Sequence, residues 1–235
     1  MHPAAGWFIE YVQELFDGEE PPKVILEVGS HNLSDSIQFS QAFPNARVIA
    51  FEPNPTQYKV CLENSRNHPN IEVYEYACSD EDKFIDFFVV EPNDGASSIL
   101  EPLYPGGPVG IHQWHKISGI RARRLENILE EIGVDSVDVV YMDVQGNELR
   151  ALKGMGRYIN DIKILQAETA LKSYYQGQVL KNDLEGWLVE RGFKTEFLYP
   201  WATIENPYGE SDLLAVKHTK SIFPTWSNLH GRIRG

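Results

Sequence analysis

Apolar residues in this chain follow two rhythms. Residues 4–16 (AAGWFIEYVQELF) set Trp7, Phe8, Tyr11, Val12, Leu15 and Phe16 on one face of a 3.6-residue period, which predicts a helix. The acidic, proline-bearing DGEEPP ends it. From there, short continuous apolar runs alternate with polar stretches of helical composition. The runs are KVILEV (23–28), RVIAFE (47–52), IEVYEYA (71–77), VDVVYMD (137–143), IKILQAE (162–168), FKTEFLY (193–199) and DLLAVK (212–217), with FIDFFVV (84–90) as a further strand. Helices are predicted within 34–43, 55–67, 124–132, 147–159 and 180–191. Runs that lack polar alternation belong to strands buried on both faces. Strands separated by helices belong to a parallel sheet between two helical layers. The last two runs lie close together and predict an antiparallel hairpin at one edge.

Two stretches break the rhythm. Residues 91–120 are rich in Pro, Gly and aromatics, with no helical period, and predict a long lid-like loop. The tail, 218–235, carries Lys220, Arg232 and Arg234 with no acid, and Phe223, Trp226 and Leu229 recur every three residues. It reads as a docking segment or a loose end. The expected organisation is an N-terminal helix (1–22), one α/β domain (23–217) and this tail.

Composition narrows the function. The 42% apolar fraction suffices for a packed core, and the net charge of −13 repels phosphate backbones, so no nucleic-acid partner is expected. Two cysteines, Cys61 and Cys78, give neither a disulfide framework nor a metal-ligand spacing. No signal peptide and no transmembrane segment is visible, so the expectation is a cytoplasmic protein, with a homodimer as a possible assembly.

In an open parallel sheet, ligands bind outside the carboxyl ends of the strands, where the order of connection reverses. The first run ends at Glu27, Gly29, Ser30 and His31, the second at Glu52 and Pro53, and the third runs into Cys78, Ser79 and Asp80. The later runs end at Asp143 and Glu168. A carboxylate about 20 residues beyond the first glycine suits the two hydroxyls of an adenosine ribose. Dinucleotides and S-adenosylmethionine both present such a ribose. A pyrophosphate needs the glycines of G-x-G-x-x-G, whereas here Ser-His-Asn-Leu-Ser follows Gly29. That loop favours the sulfonium ligand over a dinucleotide, and so a methyltransferase over a dehydrogenase.

The segments VILEVGSHNLSDSIQFSQAFPNARVIAFEPNP, GASSIL and VDVVYMDVQGNELRALKGM resemble the FkbM-type S-adenosylmethionine-dependent methyltransferases over roughly residues 23–216. The resemblance implies an α/β, Rossmann-like methyltransferase sheet of seven strands. Such a sheet is mostly parallel with an antiparallel last strand and carries helices on both faces. It implies methyl transfer from S-adenosylmethionine to a small-molecule acceptor, most often a hydroxyl of a saccharide or natural product and sometimes a carboxylate. By position, Glu27 and Gly29 would hold the methionyl end, Glu52 the ribose and Cys78 to Asp80 the adenine. Asp143 would stand between the methionyl group and the acceptor. The chain departs from the family pattern at Leu33, where a second glycine is usual, at Tyr141, where a lysine is usual, and at Gln145, an acidic position. Gln145 can orient an acceptor but takes no proton.

Asp143 is therefore the expected base, or else the holder of the methionine ammonium, and His115 in the long loop a second catalytic candidate beside His112. Arg121, Arg123 and Arg124 are expected to pair with neighbouring acids, and Tyr174 and Tyr175 to line an acceptor pocket or the core. Asp143 and Glu168 could collect a divalent metal through oxygen ligands, but no spacing requires one. The rival to an enzyme is a non-catalytic nucleoside-binding module.

Overall fold

The computed structural model describes residues 5–103, 111–198 and 209–217, without the side chains of Ile111 and His112. The expected tail at 218–235, the centre of the long loop and the end of the FKTEFLY run lie outside the described residues. Ten strands are described: β1 (Val24–Val28), β2 (Arg47–Phe51), β3 (Ile71–Tyr74), β4 (Ala77–Cys78), β5 (Lys83–Pro92), β6 (Ile111–Arg123), β7 (Val139–Met142), β8 (Ile164–Thr169), β9 (Lys194–Phe197) and β10 (Ser211–Val216). Six α-helices accompany them: α1 (Gly6–Leu15), α2 (Ser34–Ala42), α3 (Pro55–Asn64), α4 (Leu125–Glu131), α5 (Glu148–Gly154) and α6 (Lys181–Val189).

The main sheet has seven strands in the order β3-β2-β1-β7-β8-β10-β9. Its strands pair in parallel except β10, which runs antiparallel to both β8 and β9. Alternate residues serve two cores, which is why the strands read as unbroken apolar runs. Leu26, Val28, Val140, Leu165 and Leu213 pack with α4, α5 and α6 on one face. Ile25, Val48, Val139, Ile164 and Leu214 pack with α1 and α2 on the other. The N-terminal helix is part of this second core, because its apolar stripe buries Phe8, Val12 and Leu15 completely or nearly so. Each such side chain contributes about 1.5–3 kcal/mol by leaving water. At the start of β1, Asp138 Oδ2 accepts the N–H groups of Lys23 (2.8 Å) and Val24 (3.1 Å), which fixes the register against β7.

A second sheet corrects two expectations. The third run does not continue to residue 77: β3 ends at Tyr74, and Ala77–Cys78 form β4 in a separate three-stranded sheet of order β4-β6-β5. The stretch expected to be loop from 91 to 120 is strand from Ile111 onward, paired antiparallel with β5 from Lys83 to Pro92. In β6, Ile117 and Ile120 share a side with Phe87 and Val89 of β5, while Trp114 lies on the other side with Lys116 and Ser118, beside Val90. The strand covers one layer only, so it shows no continuous apolar run. Between the two long strands, the described residues 93–103 form a strap that includes a 3₁₀ turn at Asp94–Ala96.

The chain passes from β1 to β2 and β3 on one side, and later returns to β7 on the other. Connections therefore diverge between β1 and β7, and a crevice opens there. Phe87 on β5 of the second sheet and Tyr76, just before β4, wall that crevice.

Candidate active site

Gly29 and Asp143 meet at the floor of the crevice. Gly29 has φ +91°, and a Cβ there would stand 1.8 Å from the Asp143 carbonyl oxygen. Only glycine accepts both the backbone geometry and that approach. The turn after β1 continues left-handed through His31 (φ +46°) and Leu33 (φ +72°) before α2 begins. A left-handed residue with a side chain costs about 1–2 kcal/mol, which explains the glycine preference at such a position. Leu33 offsets that cost by burying its side chain fully in the α1/α2 core.

The cleft has a volume of about 250 Å³. Glu52, at its centre, is only 5% exposed. Its Oε2 accepts the N–H of His31 (2.7 Å) and its Oε1 that of Asn54 (2.8 Å). Each oxygen keeps a second lone pair for a ligand hydroxyl. Burial pushes the Glu52 carboxyl up to about 7, against the pull of those two amides, and the nearby charges of Asp94 and Asp143 add to the rise. Glu27, on the α1/α2 face of β1, takes a hydrogen bond from the Ser36 hydroxyl. Burial and Asp35 hold its carboxyl well above the usual range. Two buried carboxyls with no ion pair among the described residues form a cradle that favours a positively charged or hydroxyl-bearing guest.

The turn after β7 is built on Glu148. Its Oε1 accepts the N–H groups of Val144 and Gly146, both at 3.1 Å, and burial raises it to about 8. The first acid of α5 is thus bound to the loop instead of lying free at the helix end. Gln145, at φ +52°, donates through Nε2 to Asp143 Oδ1 and to Glu168 Oε2, both at 2.6 Å. Its Oε1 lies 2.8 Å from the Tyr175 hydroxyl, which is also 2.7 Å from the Ala96 carbonyl. The strap is tied to the same turn by Ser98 Oγ, which donates to the Gln145 carbonyl at 2.8 Å. At its other end Asp94 meets His31 Nε2 at 3.0 Å. Among the described residues no group of three or more His, Cys, Asp or Glu is arranged to hold a metal ion, and no helix is long and apolar enough to cross a membrane.

Residues 27–195 match the methyltransferase FkbM domain family. The chain belongs to that family. It is 30% identical over 170 residues to the 2-O-methyltransferase NoeI of Sinorhizobium fredii, covering 68% of this chain and 69% of that protein. It is 28% identical over 160 residues to the hexuronic acid methyltransferase AglP of Haloferax volcanii, covering 68% of this chain and 61% of that one. In fold it is similar to magnesium protoporphyrin IX methyltransferase of Synechocystis PCC 6803, solved with bound S-adenosylmethionine. That likeness has a TM-score of 0.51 at 13% identity and covers 91% of this chain and 78% of the other. The protein is thus an S-adenosylmethionine-dependent methyltransferase with the Rossmann-like sheet of its class.

As an FkbM methyltransferase the chain gathers most of the residues singled out from its sequence. Glu27, Gly29, Ser30, His31, Glu52, Pro53, Cys78 and Asp143 all line the cleft. Ser79 does not; its N–H donates to the Arg123 carbonyl at 2.9 Å and its hydroxyl to Asp80. His115 stands outside the lining as well, on β6, with Nδ1 3.5 Å from Glu91. A strand fixed by pairing to β5 cannot fold over the cleft as a loop would. Arg123 and Arg124 pair with Glu131 and Glu126, and the Arg121 guanidinium lies over the Tyr76 ring. Tyr141, in the lysine position, packs its ring 5.6 Å from both Phe8 and Phe39.

Sequence reasoning missed Asp35, Tyr76, Phe87, Asp94 and Asn147, which also line the cleft. The GASSIL motif next to Asp94 was the one local signal for the strap. Nothing local marks Asn147, whose Nδ2 donates to the Cys78 carbonyl at 2.8 Å, a contact made across 69 positions of sequence.

Proposed function

We propose that the protein transfers the methyl group of S-adenosylmethionine to a hydroxyl of a saccharide or related small molecule, with Asp143 as the base. The similarity to a 2-O-methyltransferase and to a hexuronic acid methyltransferase supports a saccharide acceptor. The observation that carries the reading is the Asp143 carboxylate, held by Gln145 at the end of a rigid strand, between the Glu27–Glu52 cradle and Glu168.

When bound, S-adenosylmethionine supplies an electrophilic methyl group on a sulfonium. The lone pairs left on Glu52 would receive the ribose hydroxyls, the Glu27 carboxyl would hold the methionyl end, and Cys78 with Tyr76 would border the adenine. An aliphatic hydroxyl attacks poorly until a base draws off its proton as the new bond forms. Asp143 takes that proton. Gln145 orients the carboxylate through its hydrogen bond to Asp143 Oδ1, and positioning of the two reactants supplies most of the catalysis.

Asp143→Asn keeps the shape and the Gln145 contact but removes the base. Turnover with labelled donor should fall by about 10²–10⁴, while calorimetric affinity for S-adenosylhomocysteine stays within about threefold. Equal losses in turnover and affinity would recast Asp143 as an anchor for the methionine ammonium.

A further inference from the structure

The cofactor cradle borrows one side from the second sheet. Asp94, on the strap between β5 and β6, lines the cleft. Its Oδ1 accepts from His31 Nε2 at 3.0 Å, and its Oδ2 accepts the side-chain amide of Gln57, a cleft-lining residue of α3. A carboxylate only accepts, so His31 Nε2 carries the proton. One side chain thus joins the turn after β1, the helix after β2 and the strap. Both of its oxygens are engaged within the protein, so its effect on a ligand runs through the groups it holds.

His31 is the group that matters. It is left-handed with a full side chain, a conformation that persists only where the surroundings hold it. Its N–H donates to Glu52 Oε2 at 2.7 Å, its carbonyl accepts the Cys61 thiol at 2.8 Å, and its ring reaches Asp94 across 63 positions of sequence. The first contact orients the buried carboxyl at the centre of the cleft, and the other two keep the His31 amide aimed at it. Resting on the methyltransferase reading, we infer that Asp94 is a positioning residue for the donor: it holds the His31 ring from the strap, and so keeps Glu52 presenting its free lone pairs to the ribose. The strap has its own anchors. Phe88 and Ser98 exchange backbone hydrogen bonds at 2.8 and 3.1 Å, and Ser97 Oγ accepts the Val90 N–H at 3.1 Å. Removing the Asp94 carboxylate therefore frees His31 and leaves the strap in place. The His31 and Asp94 side chains are 42% and 38% exposed, so water competes for the contact and its effect is several-fold, not hundreds-fold.

Calorimetric titration of the full chain with S-adenosylhomocysteine tests the inference without need of an acceptor. Asp94→Ala should weaken binding by about three- to tenfold. Asp94→Asn should stay within about twofold of wild type, because its amide oxygen still accepts from the His31 ring and Gln57 can turn its own amide to match. His31→Ala removes the same contact from the other end and should cost about as much as Asp94→Ala. Adding Asp94→Ala to it should cost less than about twofold more, since the two act as one pair. Thermal melts confirm that each variant is folded, and His31→Ala carries the test if Asp94→Ala does not fold. Unchanged affinity in the alanine variants, an Asn variant as weak as Ala, or a full further loss in the double variant overturns the inference and leaves the donor site standing. Failure of the wild type to bind S-adenosylhomocysteine overturns the methyltransferase reading and this inference with it.

Discussion

Glu52 and Glu168 are both buried carboxyls at the carboxyl ends of parallel strands, yet the chain surrounds them differently. Glu52 receives two backbone amides, from His31 and Asn54, on turns that Gly29 and Pro55 fix. Glu168 receives the side-chain amide of Gln145, which it shares with Asp143. Backbone donors barely move once the sheet has formed, so the cofactor half of the cleft is preformed. A shared side-chain amide can turn about its torsions, so the half beyond Asp143 can adjust to what enters. The difference matches the two demands on a methyltransferase, one invariant donor and an acceptor that varies between relatives.

The change that breaks the contrast most thoroughly is Gly29→Ala. Its Cβ would meet the Asp143 carbonyl and force β1 from β7, so both halves fail together. Stability should drop by about 2–4 kcal/mol in urea titrations, with donor binding lost. A variant that binds the donor normally would show that the close approach does not shape the cleft.

Glu52 sharpens the contrast. Glu52→Ala should weaken the donor by about 1–3 kcal/mol in calorimetry, the scale of charge-assisted hydrogen bonds to a carboxylate. With the Glu52 carboxyl raised to about 7 in the empty cleft, ribose hydroxyls bound to it would favour its ionised form, so donor binding should release a proton and tighten as pH rises. Affinity should climb about tenfold from pH 6 to pH 8 in the wild type and lose that component in the variant. The same shift works against the empty fold. A carboxyl raised from 4.5 to about 7 keeps its proton where the unfolded chain has released its own, so Glu52 makes stability fall as pH rises through that window. Glu148, raised to about 8, acts in the same direction. Bound donor should therefore stabilise the protein more at pH 8 than at pH 6, which thermal melts at the two pH values read directly.

The smallest effect belongs to Tyr175→Phe. Loss of the hydroxyl deprives Gln145 Oε1 and the Ala96 carbonyl of a contact and loosens the strap against the β7 turn. About 0.5–1.5 kcal/mol of stability should be lost. Donor affinity should hold while KM for the acceptor rises. Equal effects on donor and acceptor would mean that the two halves are not separable.

Legibility followed the same division. Glu27, Gly29, Glu52 and Asp143 could be picked out because each ends an apolar run, and run-ends at a strand crossover are where ligands bind. Gln166 could not, because it sits inside a run that reads as plain core strand. β6 reads as loop in the sequence because a one-layer strand with a solvated side imitates a polar linker. As a loop the segment would leave His115 free to reach the site; pairing with β5 holds it away. Asp94 and Asn147 meet the cleft through contacts with residues 63 and 69 positions distant, His31 and Cys78.

The sequence by itself determined the layers and the strand ends that carry the acids, because hydrophobic period and turn chemistry act over a few residues at a time; the count of seven strands followed from the family resemblance. Only the tertiary structure decided which polar groups meet around Asp143. Those groups come from the β7 turn, β8 and the strap, and their pairing depends on strand order and register, which local periodicity does not encode.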